Sequence, residues 1–170
     1  MSEAPVTRFI PTEILLPVDF SLSSRAALNT GVDLALHFHS TIVLVNVVAS
    51  FSIFTLTYSV PDVALEQKMK AHAEQLLTKC CAALTAKGVT SRYSISIVDD
   101  TAEAIVEMVD REHIDLLVIS THGISGWRPV VFGSVAEKVV KLAQCPLLLL
   151  RSPQPETNAS HSTVQSTEWW

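Results

Sequence analysis

The chain has 170 residues, 48% of them apolar and 17% charged, a balance typical of one globular domain and not of a disordered or fibrous chain. Its net charge of −5 and the lack of any Lys/Arg run argue against nucleic acid as a partner, because clustered cationic side chains neutralise phosphates in that class of protein. Apolar runs such as Leu116 to Ile119 are far shorter than the roughly 20 residues that cross a bilayer, so no membrane span is predicted.

The N-terminal segment and the cysteines of the chain indicate its cellular location. The N-terminal segment carries prolines and acids and no long apolar stretch, so it is not predicted to be a secretory signal. Cys80, Cys81 and Cys145 lack metal-type spacing and are interpreted as reduced thiols that fill small apolar spaces. A cytoplasmic location is predicted.

Short runs of Val, Ile and Leu alternate with longer helical patterns, in the order β-α-β-α-β-α-β-α-β. The strands are predicted at 14–18, 41–48, 93–98, 116–120 and 146–151. Ser21 is the predicted N-cap of the first helix, the second runs from Pro61 to Lys87 and stops at Gly88, and the third ends near Arg111. With a helix between each pair of strands, right-handed crossovers predict a doubly wound, five-stranded parallel sheet of the α/β class.

The two ends of the chain are expected to lie outside this domain. After Arg151 the sequence is poor in apolar residues until Trp169 and Trp170, so 152–170 is predicted to be a disordered tail, with docking of the Trp pair as the alternative. Residues 13–151 are then the folded domain and 1–12 an N-terminal extension. Ligands of such domains bind outside the carboxyl ends of the strands, where the strand order reverses.

The segment from Ser120 to Ala136 leaves a strand, crosses a glycine-containing loop and enters a helix at Gly133-Ser134. Backbone N–H groups at a helix start lack acceptors, and the helix dipole favours an anion there. Gly133 leaves room for a phosphate oxygen, Ser134 adds a hydroxyl donor, and the N–H of Val135 points the same way. The segment is typical of a phosphate site, and an ordinary capped helix is the alternative.

Two stretches resemble the universal stress protein family. The segment DLLVISTHGISGWRPVVFGSVAEKVVKLAQCPLLLLR looks like its C-terminal signature, in which Gly-x2-Gly-x9-Gly-Ser/Thr binds ATP phosphates and ribose, and the spacing from Gly123 to Gly133-Ser134 is intact. The opening ILLPVDFSLSSRAAL is similar to the family's first strand and helix, and the likeness runs in register from about Ile14 to Arg151. The resemblance implies a Rossmann-like sheet of order 3-2-1-4-5 with a nucleotide over strands one and four.

The resemblance also implies an ATP site of twelve residues. The adenosine end would be formed by Pro17, Val18 and Asp19, with backbone contacts to adenine from Val47. The ribose and α-phosphate region would be lined by Ile119, Ser120, His122 and Gly123, and the phosphates by Gly133, Ser134, Val135 and Ala136. Asp19 could instead cap the following helix, and His122 is expected to be a donor and not a base.

Three positions depart from the family pattern. Ser120 replaces its leading glycine, which is harmless where φ is negative and costly where φ is positive. Ile124 stands where many members carry a basic residue, which predicts weaker phosphate binding. Asp99-Asp100-Thr101 replaces a glycine-acid-proline turn, and its acids would either assist Mg²⁺ or cap a helix.

The resemblance implies a binding module for ATP, with any Mg²⁺ bound only through the phosphates, that acts in stress response or regulation. The apolar run CPLLLLR at a sheet edge predicts a homodimer joined through the fifth strand. A slow ATPase or phosphotransferase is one alternative, and a relative that has lost the nucleotide and works through protein contacts is another.

No catalytic residue and no metal ligand is predicted. The chain has no Gly-x-Ser-x-Gly elbow, no Gly-Lys-Ser/Thr phosphate loop and no Gly-x-Gly-x-x-Gly fingerprint, which excludes the commonest hydrolase, kinase-type and dinucleotide-binding functions. The pair His37-x-His39 at the end of the first helix is interpreted as structural, because cations complement the dipole there.

Overall fold

The computed structural model describes residues 9–49, 63–121 and 133–151, which form alternating strands and helices. The strands are β1 (Glu13–Pro17), β2 (Thr41–Ala49), β3 (Ser91–Val98), β4 (Leu116–Ser120) and β5 (Leu147–Leu150). The helices are α1 (Leu22–Phe38), α2 (Val63–Ala86), α3 (Thr101–Arg111) and α4 (Ser134–Leu142). The predicted tail 152–170, most of the predicted extension 1–12 and the predicted helix start at Pro61 lie outside the described residues.

All strand pairs of the sheet are parallel, and its order β3-β2-β1-β4-β5 confirms the predicted topology. Strand β1 is central: Ile14 stands opposite Ile42 of β2 on one side and Leu116 of β4 on the other. The chain order reverses between β1 and β4, so a crevice is expected beyond their carboxyl ends.

The predicted bounds of β4 match the observed ones, and those of the other four strands differ by one or two residues. Strand β1 is predicted to reach Val18 but ends at Pro17, and β5 is predicted from Pro146 but begins at Leu147. Proline has no N–H to donate, and Pro146 takes part only through its carbonyl, which accepts from Leu117 N at 3.0 Å. Strand β3 begins two residues earlier than predicted, at Ser91, because its ladder with β2 already starts there.

The helix ends follow the predicted signals. Ser21 is the N-cap of α1, and its Oγ accepts from Ser24 N at 3.1 Å, as predicted. Gly88, with a φ of 80°, follows the end of α2, as predicted. His39 has a φ of 59° and is the C-cap of α1, which favours the structural interpretation of the histidine pair.

The sheet separates two apolar clusters. Leu16 and its alternate neighbours pack with α1 and α2, whereas Leu15 faces the cluster of α3 and α4. A Cβ added to Gly31 of α1 would lie 2.7 Å from Leu16 Cδ1, so a larger residue there would force the buried Leu16 side chain to shift. The described cysteines are free, and burial in the first cluster raises the pKa of Cys80 to about 12. No helix in the described part of the chain has the length and apolarity that a bilayer crossing requires.

Candidate functional site

A cavity of about 270 Å³ opens where the strand order reverses, at the carboxyl ends of β1 and β4. Its lining residues come from strands and helices on both sides of this point: Pro17, Val18, Asp19, Ser24, Val45, Val47, Thr101, Ile105, Ile119, Ser120, Thr121, Gly133, Ser134, Val135 and Ala136. The lining includes ten of the twelve site residues predicted from the sequence. The other two, His122 and Gly123, lie outside the described residues, as does Ile124.

Five lining residues were missed by the sequence reasoning: Ser24, Val45, Thr101, Ile105 and Thr121. Val45 could have been found, because strand alternation places it on the same face as Val47. Ile105 lies one helical turn after Thr101, so those two share a face of α3. The sequence gives no signal that this face is turned toward β2, since the packing of α3 decides it.

One wall of the cavity is apolar. Val45 and Ile105 are each 1% exposed, and Val47 and Ile119 extend the same wall. These branched side chains belong to or pack against the cluster between the sheet and α3 and α4, so the rest of the core holds them in place. They offer a firm apolar surface on which a flat ring could rest.

The opposite part of the cavity is the start of α4. Gly133 is its N-cap, with φ −60° and ψ 149°, and makes no side-chain cap hydrogen bond. Gly133 N donates to Thr121 O at 2.8 Å, which ties the helix start to the end of β4. The first N–H groups of a helix, here those of Ser134, Val135 and Ala136, have no acceptor within the helix. Together with the helix dipole they make this end of the cavity suited to an anion.

Asp19 supports the N-cap residue of α1, while the N-cap itself is Ser21. Its Oδ1 accepts from Ser21 N at 3.0 Å and from Ser21 Oγ at 2.6 Å, which fixes the entry into α1. The same residue lines the cavity next to Val18. The carboxylate therefore supports the helix start, and the residue itself borders the cavity.

Ser120 carries no strain from the lack of a glycine. In the described part of the chain, the non-glycine residues with positive φ are Phe20, His39 and His113. Ser120 ends β4 in regular register opposite Leu150. The departure from the family pattern is therefore harmless to the backbone at this position.

Asp100 is a helix cap. Its Oδ1 accepts from Ala102 N and Glu103 N, both at 3.0 Å, and its Oδ2 accepts from Nζ of Lys138 in α4. The Lys138 bond is the main cause that lowers the pKa of Asp100, and the same bond raises the pKa of Lys138. Asp100 is therefore the N-cap of α3, which agrees with the capping alternative.

No group of three or more His, Cys, Asp or Glu side chains within 9–49, 63–121 and 133–151 could hold a metal ion. The cavity is thus built from apolar, hydroxyl and main-chain groups, with Asp19 as its acidic member.

The fold and the cavity define a doubly wound α/β protein with a crevice at its topological switch point, where a helix begins. The sequence pattern of the universal stress protein family matches residues 12–151, and the chain belongs to that family. A universal stress protein of Methanocaldococcus jannaschii is 26% identical over 149 residues, which cover 85% of this chain and 84% of the relative.

Solved structures share the fold. The universal stress protein UspA from Lactobacillus plantarum is 24% identical with a TM-score of 0.71, over 85% of this chain and 99% of that protein. A family member from Arabidopsis thaliana with AMP bound has a TM-score of 0.59 at 22% identity, over 88% and 97% of the two chains. A universal stress protein from Archaeoglobus fulgidus in complex with dAMP has a TM-score of 0.58 at 18% identity, over 82% and 98%.

Proposed function

We propose that this chain binds an adenine nucleotide, with ATP as its main ligand, and acts as a nucleotide-dependent module in stress response or regulation. The observation that carries the proposal is a single cavity in which an apolar wall leads to the start of α4, whose N-cap Gly133 makes no side-chain cap bond. ATP has a matching arrangement, because its flat adenine ring suits the apolar wall and its anionic phosphate chain suits the helix start. The relatives solved with AMP and with dAMP support the choice of an adenine nucleotide.

In this proposal the adenosine lies at the carboxyl end of β1. Val45 and Ile105 provide apolar contacts to the base, and the main chain of Val47 provides polar ones. Asp19 accepts a hydrogen bond from a ribose hydroxyl or from the adenine amine. A ring of this size displaces water from the apolar wall, which favours binding by roughly 25 cal/mol for each Å² of apolar surface removed from water.

The phosphates in this proposal lie at the start of α4. Gly133 permits close approach, and Ser134 donates from its hydroxyl and its main chain. The family pattern adds Ser120, His122 and Gly123 to the ribose and α-phosphate region. Any Mg²⁺ would be held by phosphate oxygens, because Asp100 is engaged with α3 and Lys138.

ATP is proposed as a ligand and not as a rapidly used substrate. Phosphoryl transfer needs charge neutralisation at the γ-phosphate and a positioned nucleophile. Between Arg111 and Lys138 the sequence has Arg128 as its one strong cation and no lysine, and Lys138 is bound to Asp100 and Glu103. Contacts to the ground state alone give occupancy without rate.

Phosphate release at saturating ATP and Mg²⁺ tests this point. We expect a rate far below about one per second, the lower end for typical enzymes. Ser134→Ala and Asp99→Asn are the matched variants. Release above about one per second that is lost in either variant would favour the slow ATPase or phosphotransferase instead.

We further propose a homodimer joined through β5, which is an edge strand of the sheet. The carbonyl of Pro146 accepts from Leu117 N of β4 at 3.0 Å, and that of Leu150 accepts from Thr121 N, just after β4, at 2.8 Å. Since the main-chain groups of a strand alternate in direction, those of Leu147 and Leu149 point to the outer edge. An apolar edge of this kind is suited to pairing with a second copy.

A further inference from the structure

We propose that Asn46 is a positioning residue for the adenosine end of the site, which it supports from the opposite face of the sheet. The effect of Asn46 on binding rests on the proposed nucleotide function. The hydrogen bonds that carry it belong to the protein alone.

Asn46 is a polar side chain within a buried strand. It is 7% exposed, and its neighbours Val45 and Val47 line the cavity, so strand alternation turns Asn46 to the other face, toward α1 and α2. Burying an amide is unfavourable unless it is hydrogen-bonded. Asn46 meets that need with one bond: Nδ2 donates to Val18 O at 2.7 Å.

That bond is made to the residue that directly follows the end of β1. Val18 N still donates to Val45 O at 2.8 Å, but β1 has ended at Pro17. Val18 is 3% exposed, so its carbonyl needs a donor from within the protein. The side chain of Asn46 supplies that donor, so β2 stays hydrogen-bonded to the chain one residue beyond the end of β1.

The chain then makes an unusual turn. Phe20 has a φ of 62°, a conformation that a bulky residue rarely adopts and that the surrounding structure must impose. Its side chain packs against the α1 and α2 cluster, whereas Asp19 beside it lines the cavity. Asn46 fixes the turn before Asp19, and the Ser21 bonds to Asp19 Oδ1 fix it after. Loss of the Asn46 bond therefore loosens the position of the Asp19 carboxylate.

Ser40 provides a matched control at the opposite end of the sheet. It is 4% exposed, and its Oγ donates to Pro11 O at 2.7 Å, so it too joins β2 to the chain next to β1. Ser40 precedes β2, whereas Asn46 lies toward its carboxyl end. Removal of either side chain deletes one buried bond to a main-chain carbonyl, and only the partner of Asn46, Val18, lines the cavity.

The first test measures the binding of adenosine, ATP and tripolyphosphate to Asn46→Leu and Ser40→Ala by calorimetry. In Asn46→Leu we expect adenosine and ATP to bind about tenfold more weakly, with tripolyphosphate unchanged. In Ser40→Ala the melting temperature falls and all three affinities stay unchanged. Wild-type adenosine affinity in Asn46→Leu, or equal loss for adenosine and tripolyphosphate, would overturn the inference.

The second test needs no ligand. Ser21 N–H donates to Asp19 Oδ1, so its hydrogen exchange reports on the turn. We expect Asn46→Leu, and the near-isosteric Asn46→Asp if the first variant does not fold, to speed exchange of Ser21 by about tenfold relative to Val43. Ser40→Ala should not. Unchanged Ser21 exchange overturns the positioning role, whereas a wild-type protein that binds neither adenosine nor ATP overturns the proposed function and leaves the exchange result standing.

Discussion

The ammonium group of Lys138 in α4 binds the carboxylate of Asp100, the N-cap of α3, and reaches Glu103 Oε1 at 2.8 Å. Thr101 at the start of α3 and Ser134 at the start of α4 both line the cavity. Lys138 thus connects the two helix starts between which we propose that the nucleotide lies.

Replacement of Lys138 should therefore weaken ATP binding. Because the pair is exposed, with Lys138 at 39%, we expect Lys138→Met to lower the ATP affinity by only about two- to fivefold, and by less at high salt. Lys141→Met is the matched control, because Lys141 binds Glu137 within α4 at 2.7 Å and does not reach α3 through that bond. Calorimetry that finds equal affinities for the two variants would remove the bridging role.

The phosphate position at Gly133 can be tested without backbone strain. Its φ of −60° and ψ of 149° are open to any residue with a Cβ, so Gly133→Val should fold. The branched side chain would occupy the space proposed for a phosphate oxygen. We expect ATP affinity to fall by at least about tenfold, with adenosine affinity little changed and Gly133→Ala intermediate. Wild-type ATP affinity in a folded Gly133→Val would show that the phosphates lie elsewhere.

The dimer depends on main-chain groups at the outer edge of β5. Leu149→Pro removes an outward N–H, whereas Leu149→Val keeps it. Light scattering at micromolar concentration should give a dimer for the wild-type protein and for Leu149→Val, with and without ATP. Leu149→Pro should be a monomer. A monomeric wild-type protein under both conditions would contradict the proposal.

Stability should depend on pH through Asp115, which joins the start of β1 to β4. Its Oδ2 accepts from Thr12 N at 2.7 Å, from Thr12 Oγ1 and from Glu13 N at 3.0 Å. These bonds, the Thr12 side chain first, lower the pKa of Asp115 from its ordinary value of 3.8. The folded pKa lies below the unfolded one, so the stabilisation is complete above about pH 4 and is lost as the pH falls through the folded pKa.

Urea unfolding at pH 7 and at pH 3 checks this sign. At pH 7 we expect Asp115→Asn to lower the free energy of unfolding by about 1 kcal/mol, and at pH 3 the difference from wild type should shrink. Asp33→Asn, at an exposed position of α1, controls for the loss of one charge. A difference that grows toward acid pH would reverse the assignment.

The sheet was predictable because its signals are local. Runs such as Thr41 to Val48 are mostly apolar, and caps such as Ser21 mark the helices between them. The strand order followed from the family resemblance, since periodicity alone does not order parallel strands. Nine of the ten predicted lining residues lie in the two stretches that carry the resemblance, because the strands β1 and β4 of those stretches end at the same edge of the sheet, and Val47 of β2 is the tenth.

The remaining features depend on long-range packing. Asn46 belongs to the apolar run of β2 in the sequence, and only the turn at the end of β1 explains its amide. The positive φ of Phe20 has no sequence signal, because turns of this kind usually take glycine or asparagine. Asp100 is a carboxylate in a short acidic run, and its partner Lys138 lies 38 residues away. Sequence spacing could not choose between its two roles.

Titration of the wild-type protein with ATP and Mg²⁺ tests the central claim most directly, by calorimetry together with thermal unfolding. We expect saturable binding and a gain in the free energy of unfolding of about 2.7 kcal/mol at one hundred times the dissociation constant. Gly133→Val should lose most of that gain at the same ATP concentration. Absence of both heat and stabilisation at millimolar ATP, in protein that is folded by circular dichroism, would contradict nucleotide binding and favour a family member that acts through protein contacts alone.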